Sequence, residues 1–268
     1  MSLPLFLQPL PDFLRVTRGH RVISWFSCGA ASAIATVIAY HKYGPALEVV
    51  YCKVIEEHPD NLKFIDEFTR ITGIPVTILV NEKYGGSIYK VFEHRKFLKG
   101  PHGAQCTGLL KKQVRKSYKP DEQYDCVQIF GYTVDEIHRA KRFRDTNIEV
   151  IPEFILIDHG INKQDCYNYL QALGLELPMM YKLGYSNNNC IGCVKGGMGY
   201  WNKIRVDFPD AFWRMAGLER GLGHALCKDK DGPVFLDELD PQRGIFKNDA
   251  PGDCGFTCEA NPNEPVGL

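Results

Sequence analysis

Five cysteines of this chain stand among glycine, asparagine and threonine, in the company that loops keep: Cys106, Cys190, Cys193, Cys254 and Cys258. Thiols in such settings ask for a chemical role more than a packing one. Asn189-Cys190-Ile191-Gly192-Cys193 is a C-x-x-C in a turn-like context. At that spacing two thiolates hold one metal, hold one cluster or close a redox disulfide. No strand leads directly into the motif, which counts against a thioredoxin-type disulfide. Zinc needs four ligands, so Cys106 with Cys254, Cys258 or a histidine completes that set. An iron–sulfur cluster takes Cys106, Cys190 and Cys193 and leaves a fourth position open or filled by another group. Spacing does not separate the two, and a metal-free pair of thiols is the plain alternative.

A second constellation is Ser27-Cys28-Gly29-Ala30-Ala31-Ser32, between the apolar run 22–26 and a small-residue helix over 33–40. Strand, tight loop and helix in that order present backbone N–H groups to a phosphate. The serine hydroxyls add donors, Gly29 lets the backbone approach closely, and the helix dipole favours the anion. An ordinary strand–turn–helix corner has the same pattern.

The elements that must position these residues alternate. Strands are expected at 22–26, 47–54, 75–80, 127–131 and 150–152. Helices are expected at 61–72 and 163–173, the latter with Asn162 as N-cap and Gly174 as stop. The pattern predicts an α/β fold: an open, mostly parallel sheet with helices on both faces. Ligands in such sheets sit at the C-terminal ends of the strands, which puts the 27–32 loop on one rim with Glu57 and with Glu136 and Arg139. Residues 1–20 read as an N-terminal arm, 21–220 as the nucleotide-binding domain and 221–268 as a loop-rich C-terminal tail.

Lysine plus arginine and aspartate plus glutamate each number 32, so no global basic field announces nucleic acid. Local basic runs remain at Lys111, Lys112, Arg115, Lys116 and Lys119, and at Arg139 to Arg144. No run is long and apolar enough to span a bilayer, and Pro4, Pro9 and Pro11 interrupt the start of the chain. A cytoplasmic protein with no membrane partner is expected. Of the ten cysteines, Cys28, Cys52 and Cys126 lie in or beside apolar runs and are expected in the core.

With these segments in order, the chain resembles the PP-loop superfamily and, within it, the phosphoadenylyl-sulfate (PAPS) reductase-like family. The 27–32 loop is similar to that family's phosphate loop, with Cys28 in place of a glycine and Ala31 in place of an aspartate. The run Glu57-His58-Pro59-Asp60-Asn61 is similar to its segment after the second strand. Cys106-Thr107-Gly108-Leu109-Leu110-Lys111 resembles its C-T-x-x-L-K element. The stretch from Gly131 to Ala140 resembles its G-x-R-x-x-E-x-x-R-A element, with Thr133 replacing the arginine. The stretch from Pro178 to Cys193 resembles the one that ends in the family's C-x-x-C. The likeness covers residues 21–220 and lies in the order of the motifs.

The resemblance implies the adenine nucleotide alpha hydrolase-like fold. It places the nucleotide (PAPS, adenylyl sulfate, or ATP with magnesium) on Ser27, Cys28, Gly29, Ala30, Ser32, Glu57, Lys111, Gly131, Glu136 and Arg139. It also implies a 4Fe-4S cluster on Cys106, Cys190 and Cys193, with zinc the alternative. Its first functional reading is a sulfonucleotide reductase, an oxidoreductase in which the tail thiol Cys254 attacks the phosphosulfate and a thioredoxin-like protein restores it. Its second is an ATP-dependent sulfurtransferase that modifies tRNA or DNA. A non-catalytic nucleotide-binding regulator is a third, and a homo-oligomer is left open.

Overall fold

The computed structural model describes residues 21–100, 103–118, 126–252 and 254. The arm 1–20, Lys119 and Cys258 lie outside them. In chain order the strands of the main sheet are β1 (Arg21–Phe26), β2 (Leu47–Cys52), β3 (Thr77–Leu79), β4 (Cys126–Ile129) and β5 (Ile151–Glu153). The longer helices are α1 (Ala30–Tyr43), α2 (Asp60–Thr72), α3 (Ile88–Arg95), α4 (Ile137–Thr146), α5 (Lys163–Ala172), α6 (Met198–Asp207) and α7 (Pro209–Leu222). They fall into two compact units that interleave along the chain. The first takes the described residues within Met1–Cys52, Pro59–Leu79 and Arg115–Lys182, the second those within Lys53–His58, Val80–Val114 and Leu183–Leu268.

The first unit is the expected parallel sheet, in the order β3-β2-β1-β4-β5, with every neighbouring pair parallel. Five of the six residues of β1 are buried, the signature of a strand covered on both faces. Helices α1, α2 and α5 supply Ile34, Ile38, Phe64, Phe68, Cys166 and Leu170 to one continuous core with the sheet. The small residues of α1 let it sit close to β1: the Thr36 hydroxyl lies 2.7 Å from that of Ser24 and donates to the Ser32 carbonyl at 2.8 Å. Helix α5 begins at the expected cap, Asn162 accepting the Asp165 N–H and Asp165 accepting the Asn162 N–H, both at 2.9 Å. Cys28, Cys52 and Cys126 are buried, as their apolar neighbours required.

The strand order reverses between β1 and β4. In open sheets of this kind that reversal opens a crevice at the C-terminal ends of the two central strands. The 27–32 loop leaves β1 and Gly131 follows β4, so both belong to the switch point.

The second unit is mostly helical, with Trp201, Tyr200 and Phe212 among its largest buried side chains. Its C-terminal part carries a two-stranded antiparallel hairpin, Cys227–Asp229 with Gly232–Val234, and is held beyond it at Asp249. The Gly197 N–H donates to the Asp249 carbonyl at 2.9 Å, and the Asp249 carboxylate accepts the N–H groups of Gly199 and Ile245 at 2.7 and 3.0 Å. A Cβ on Gly199 would lie 2.5 Å from the Ile245–Phe246 backbone, so only glycine admits this contact. The segment after 220, expected as a loop-rich C-terminal tail, groups as far as it is described with α6 and α7. Periodicity is lost there because the backbone is irregular and held by polar side chains, although a core is present. Among the described residues no helix is long and apolar enough to cross a membrane.

Glu219 of α7 is fully buried and accepts the N–H groups of Leu226 and Leu236, bracing two stretches of irregular chain. Burial raises its carboxyl from about 4.5 to about 7, against the pull of those N–H donors. A folded-state value above the unfolded one favours the protonated form. The contribution is therefore complete below pH 4.5 and is lost as pH rises through 7. Denaturant titrations should show stability falling by up to about 3 kcal/mol over that window. The Glu219→Gln variant should show a flat profile there, and an unchanged slope in it refutes the assignment.

Candidate functional site

In the first unit, the 27–32 loop turns at Cys28, which takes φ +56° with its side chain buried. A side chain in the left-handed region costs about 1–2 kcal/mol where glycine costs little. The Cys28 thiol fills the space beside α2, donating to the Asn61 carbonyl at 3.8 Å. Ser32 closes the loop: its hydroxyl oxygen accepts the Ser27 N–H and the Ser27 hydroxyl, each at 3.1 Å, and donates to the Gly29 carbonyl at 2.9 Å. Gly29 is the N-cap of α1, extended and without a side-chain cap, and the first turn carries no acidic residue. The helix end is thus electropositive and uncrowded by carboxylates.

Two residues fix this loop from elsewhere in the unit. A Cβ on Gly131 would meet the Ser32 nitrogen and Cα at 2.7 Å, backbone against backbone. The glycine is there because the chain leaving β4 passes over the start of α1. The Tyr181 hydroxyl accepts the Ala30 N–H at 3.4 Å and would stand 3.2 Å from a Cβ on Gly29. Sequence reasoning did not single out Tyr181, although it sits in the stretch 178–193 that carries the resemblance. Glu136 and Arg139 form an ion pair at the start of α4, Glu136 also accepting the Thr133 N–H at 3.4 Å. The Arg139 guanidinium stacks 4.9 Å from the Tyr132 ring centroid.

The second unit gathers the remaining candidates. The Lys111 ammonium and the Glu57 carboxylate form a buried ion pair at 3.0 Å. Burial works to lower the Lys111 pKa, but the Glu57 carboxylate beside it outweighs burial and holds it well above the ordinary lysine value. Lys111 is therefore the charged partner of Glu57. Its ammonium also donates to the Cys254 carbonyl at 3.5 Å. The Cys190 thiol is pushed well up by burial and by Glu57, with Lys111 opposing and Cys254 and Cys106 adding to the rise. Cys106 and Cys254 are thus both within electrostatic reach of Cys190, and Lys111 of Cys190 and Cys254.

The C-x-x-C turn is held by Tyr200, whose hydroxyl accepts the Cys193 N–H at 2.9 Å and donates to the Cys190 carbonyl at 3.4 Å. Gly192, at φ +74°, makes the turn between the two thiols. The Ile191 N–H donates to the Glu56 carbonyl at 2.8 Å, tying the motif to the segment that carries Glu57.

Two members of the basic run from Lys111 are not solvated. Lys111 is spent on Glu57, and Arg115 is buried with its guanidinium donating to Gln128 at 3.2 Å. These two side chains have internal acceptors distant in sequence, which a basic run does not reveal. A tetrahedral zinc with bonds of about 2.3 Å brings its sulfurs to about 4 Å from one another. Among the described residues no three His, Cys, Asp or Glu are grouped to hold one ion. A cluster takes each cysteine on a different iron, so its thiolates surround a volume and do not converge on a point. Cys106, Cys190 and Cys193 are thiolate donors of the kind that group takes, and Cys106 and Cys190 are within electrostatic reach of one another.

No family model matches this chain, and no curated protein matches it. Among solved structures it is similar to the U34-tRNA thiolase NcsA from Methanococcus maripaludis with its [4Fe-4S] cluster. The identity is 14%, over 79% of this chain and 74% of that one, with a TM-score of 0.42. So distant a likeness settles neither activity nor substrate.

Proposed function

We propose that this chain is an ATP-dependent sulfur-transfer enzyme that modifies nucleic acid. The nucleotide rests on the 27–32 loop, and Cys106, Cys190 and Cys193 hold an iron–sulfur cluster. A bound cluster supplies iron at which inorganic sulfide is held for transfer. The chain's own residues do the rest. Ser27, Ser32 and the first N–H groups of α1 bind the phosphates, and Gly131 keeps the loop open to them. An acceptor oxygen attacks the α-phosphorus and pyrophosphate leaves. Sulfide then takes the acceptor carbon, and AMP departs with the oxygen. Lys141 and Arg144 on the exposed face of α4 are placed to track backbone phosphates.

The observation that carries this reading over a sulfonucleotide reductase is the confinement of Cys254. A reductase of this kind needs a thiol that travels to the phosphosulfate. Cys254 is instead buried, with its N–H, its carbonyl and its thiol all engaged. The sulfonucleotide reading draws on the loop, where Cys28 and Ala31 stand in place of glycine and aspartate, and on a tail thiol at Cys254.

Anaerobic protein decides between them. ATP with RNA or DNA and sulfide should yield AMP and pyrophosphate, with sulfur in the polymer. Sulfite from PAPS or adenylyl sulfate, with no AMP from ATP, overturns the proposal in favour of the reductase. Nucleotide binding with neither product leaves the regulator.

A further inference from the structure

The chain approaching Cys254 is zipped to the C-x-x-C segment by amides. Asn187 donates through Nδ2 to the Pro251 carbonyl at 3.0 Å, and Asn189 donates to the Gly252 carbonyl at 3.0 Å. Asn189 Oδ1 accepts the Cys254 N–H at 2.8 Å, so one side chain next to Cys190 holds both faces of the incoming backbone. The Thr107 hydroxyl, next to Cys106, stands 3.6 Å from the Cys254 sulfur. Lys111 completes the hold at the Cys254 carbonyl. Every residue that fixes Cys254 thus belongs to a segment that already carries a ligand candidate.

We infer that Cys254 is the fourth thiolate of the set and caps the remaining cluster position in the resting protein, so that sulfide must displace it. This rests on the cluster reading above and assigns Cys254 a role other than the travelling nucleophile. In the exchange, hydrosulfide takes the iron position and its proton passes to the departing Cys254 thiolate, which is left as a thiol beside the Thr107 hydroxyl. No electron changes hands. Capping a reactive position with a tethered ligand excludes water and small anions until the true ligand arrives.

The test uses full-length protein reconstituted anaerobically with iron and sulfide, then freed of excess sulfide. Iron content and the electron paramagnetic resonance spectrum of the reduced protein are read, and sulfide is titrated back. The wild-type spectrum should shift only at high sulfide. Cys254→Ala should either lose about a quarter of its iron or respond at sulfide concentrations at least about tenfold lower. Cys258→Ala should behave as wild type. If Cys254→Ala matches wild type in iron, spectrum and sulfide titration, the inference fails and the cluster reading stands. If wild-type protein takes up no iron, both fail. Should Cys254→Ala not fold, judged by loss of ATP binding, alkylation of the wild-type protein with and without iron decides. Protection of Cys254 by iron alongside Cys190 supports the cap, and equal labelling in both states overturns it.

Discussion

Lys111→Met should be the most destabilising single change in the second unit, costing about 3–5 kcal/mol. The reason is the group left behind. Glu57 is buried and paired with Lys111 at 3.0 Å, and removing the ammonium strands a carboxylate away from water. Denaturant titration of the variant measures the loss. The double variant Lys111→Met with Glu57→Leu should recover most of it, because two apolar side chains of similar volume have no charge to desolvate. Recovery of stability should not restore iron uptake, since the cation beside Cys190 and Cys254 is gone. A single-variant cost below about 1 kcal/mol refutes the buried pair, because that is what an exposed pair gives.

Gly131→Ala should weaken ATP binding at least about tenfold, or about 1.4 kcal/mol, while the sheet stays folded. The added Cβ would stand 2.7 Å from the Ser32 nitrogen and Cα, and backbone does not rotate aside as a side chain does. The start of α1 must move, and with it the N–H groups that face the phosphates. Gly217→Ala is the control: it lies within α7 with nothing within 4 Å of a new Cβ, so it should leave binding unchanged. Isothermal titration with ATP measures both. Equal affinities for wild type and Gly131→Ala would show that the nucleotide does not rest on this loop.

Much of the first unit was legible before any coordinates. The apolar runs at 22–26, 47–54 and 127–131 became β1, β2 and β4 within a few residues of their expected ends. Asn162 and Gly174 bounded α5 as cap and stop, Gly174 taking φ +77°. These features are local: a strand buried on both faces must be apolar throughout, and a cap must bond the helix it starts. The strand order was a different matter, since nothing within β1 specifies that β2 and β4 flank it.

The partners of Lys111 and Arg115 were not legible. Read along the chain, both belong to a basic run, and such a run is most simply a wet surface. Their acceptors, Glu57 and Gln128, lie 54 and 13 residues away, and only the folded backbone brings them into reach. Tyr181 is the same kind of case, 151 residues from the N–H it meets.

By itself, the sequence determined the chemistry available to this protein: which residues are soft metal donors, which loop offers N–H groups to an anion, and that strands and helices alternate. Composition and short-range spacing suffice for that, because bonding capacity belongs to the residue and periodicity to its neighbours. Tertiary structure alone decided how those resources are used. It set Lys111 among thiols, bound Cys254 to the segments of Cys106 and Cys190, and made Gly131 a matter of backbone clearance. Each of these depends on groups distant in sequence, whose approach is fixed by packing of the whole unit.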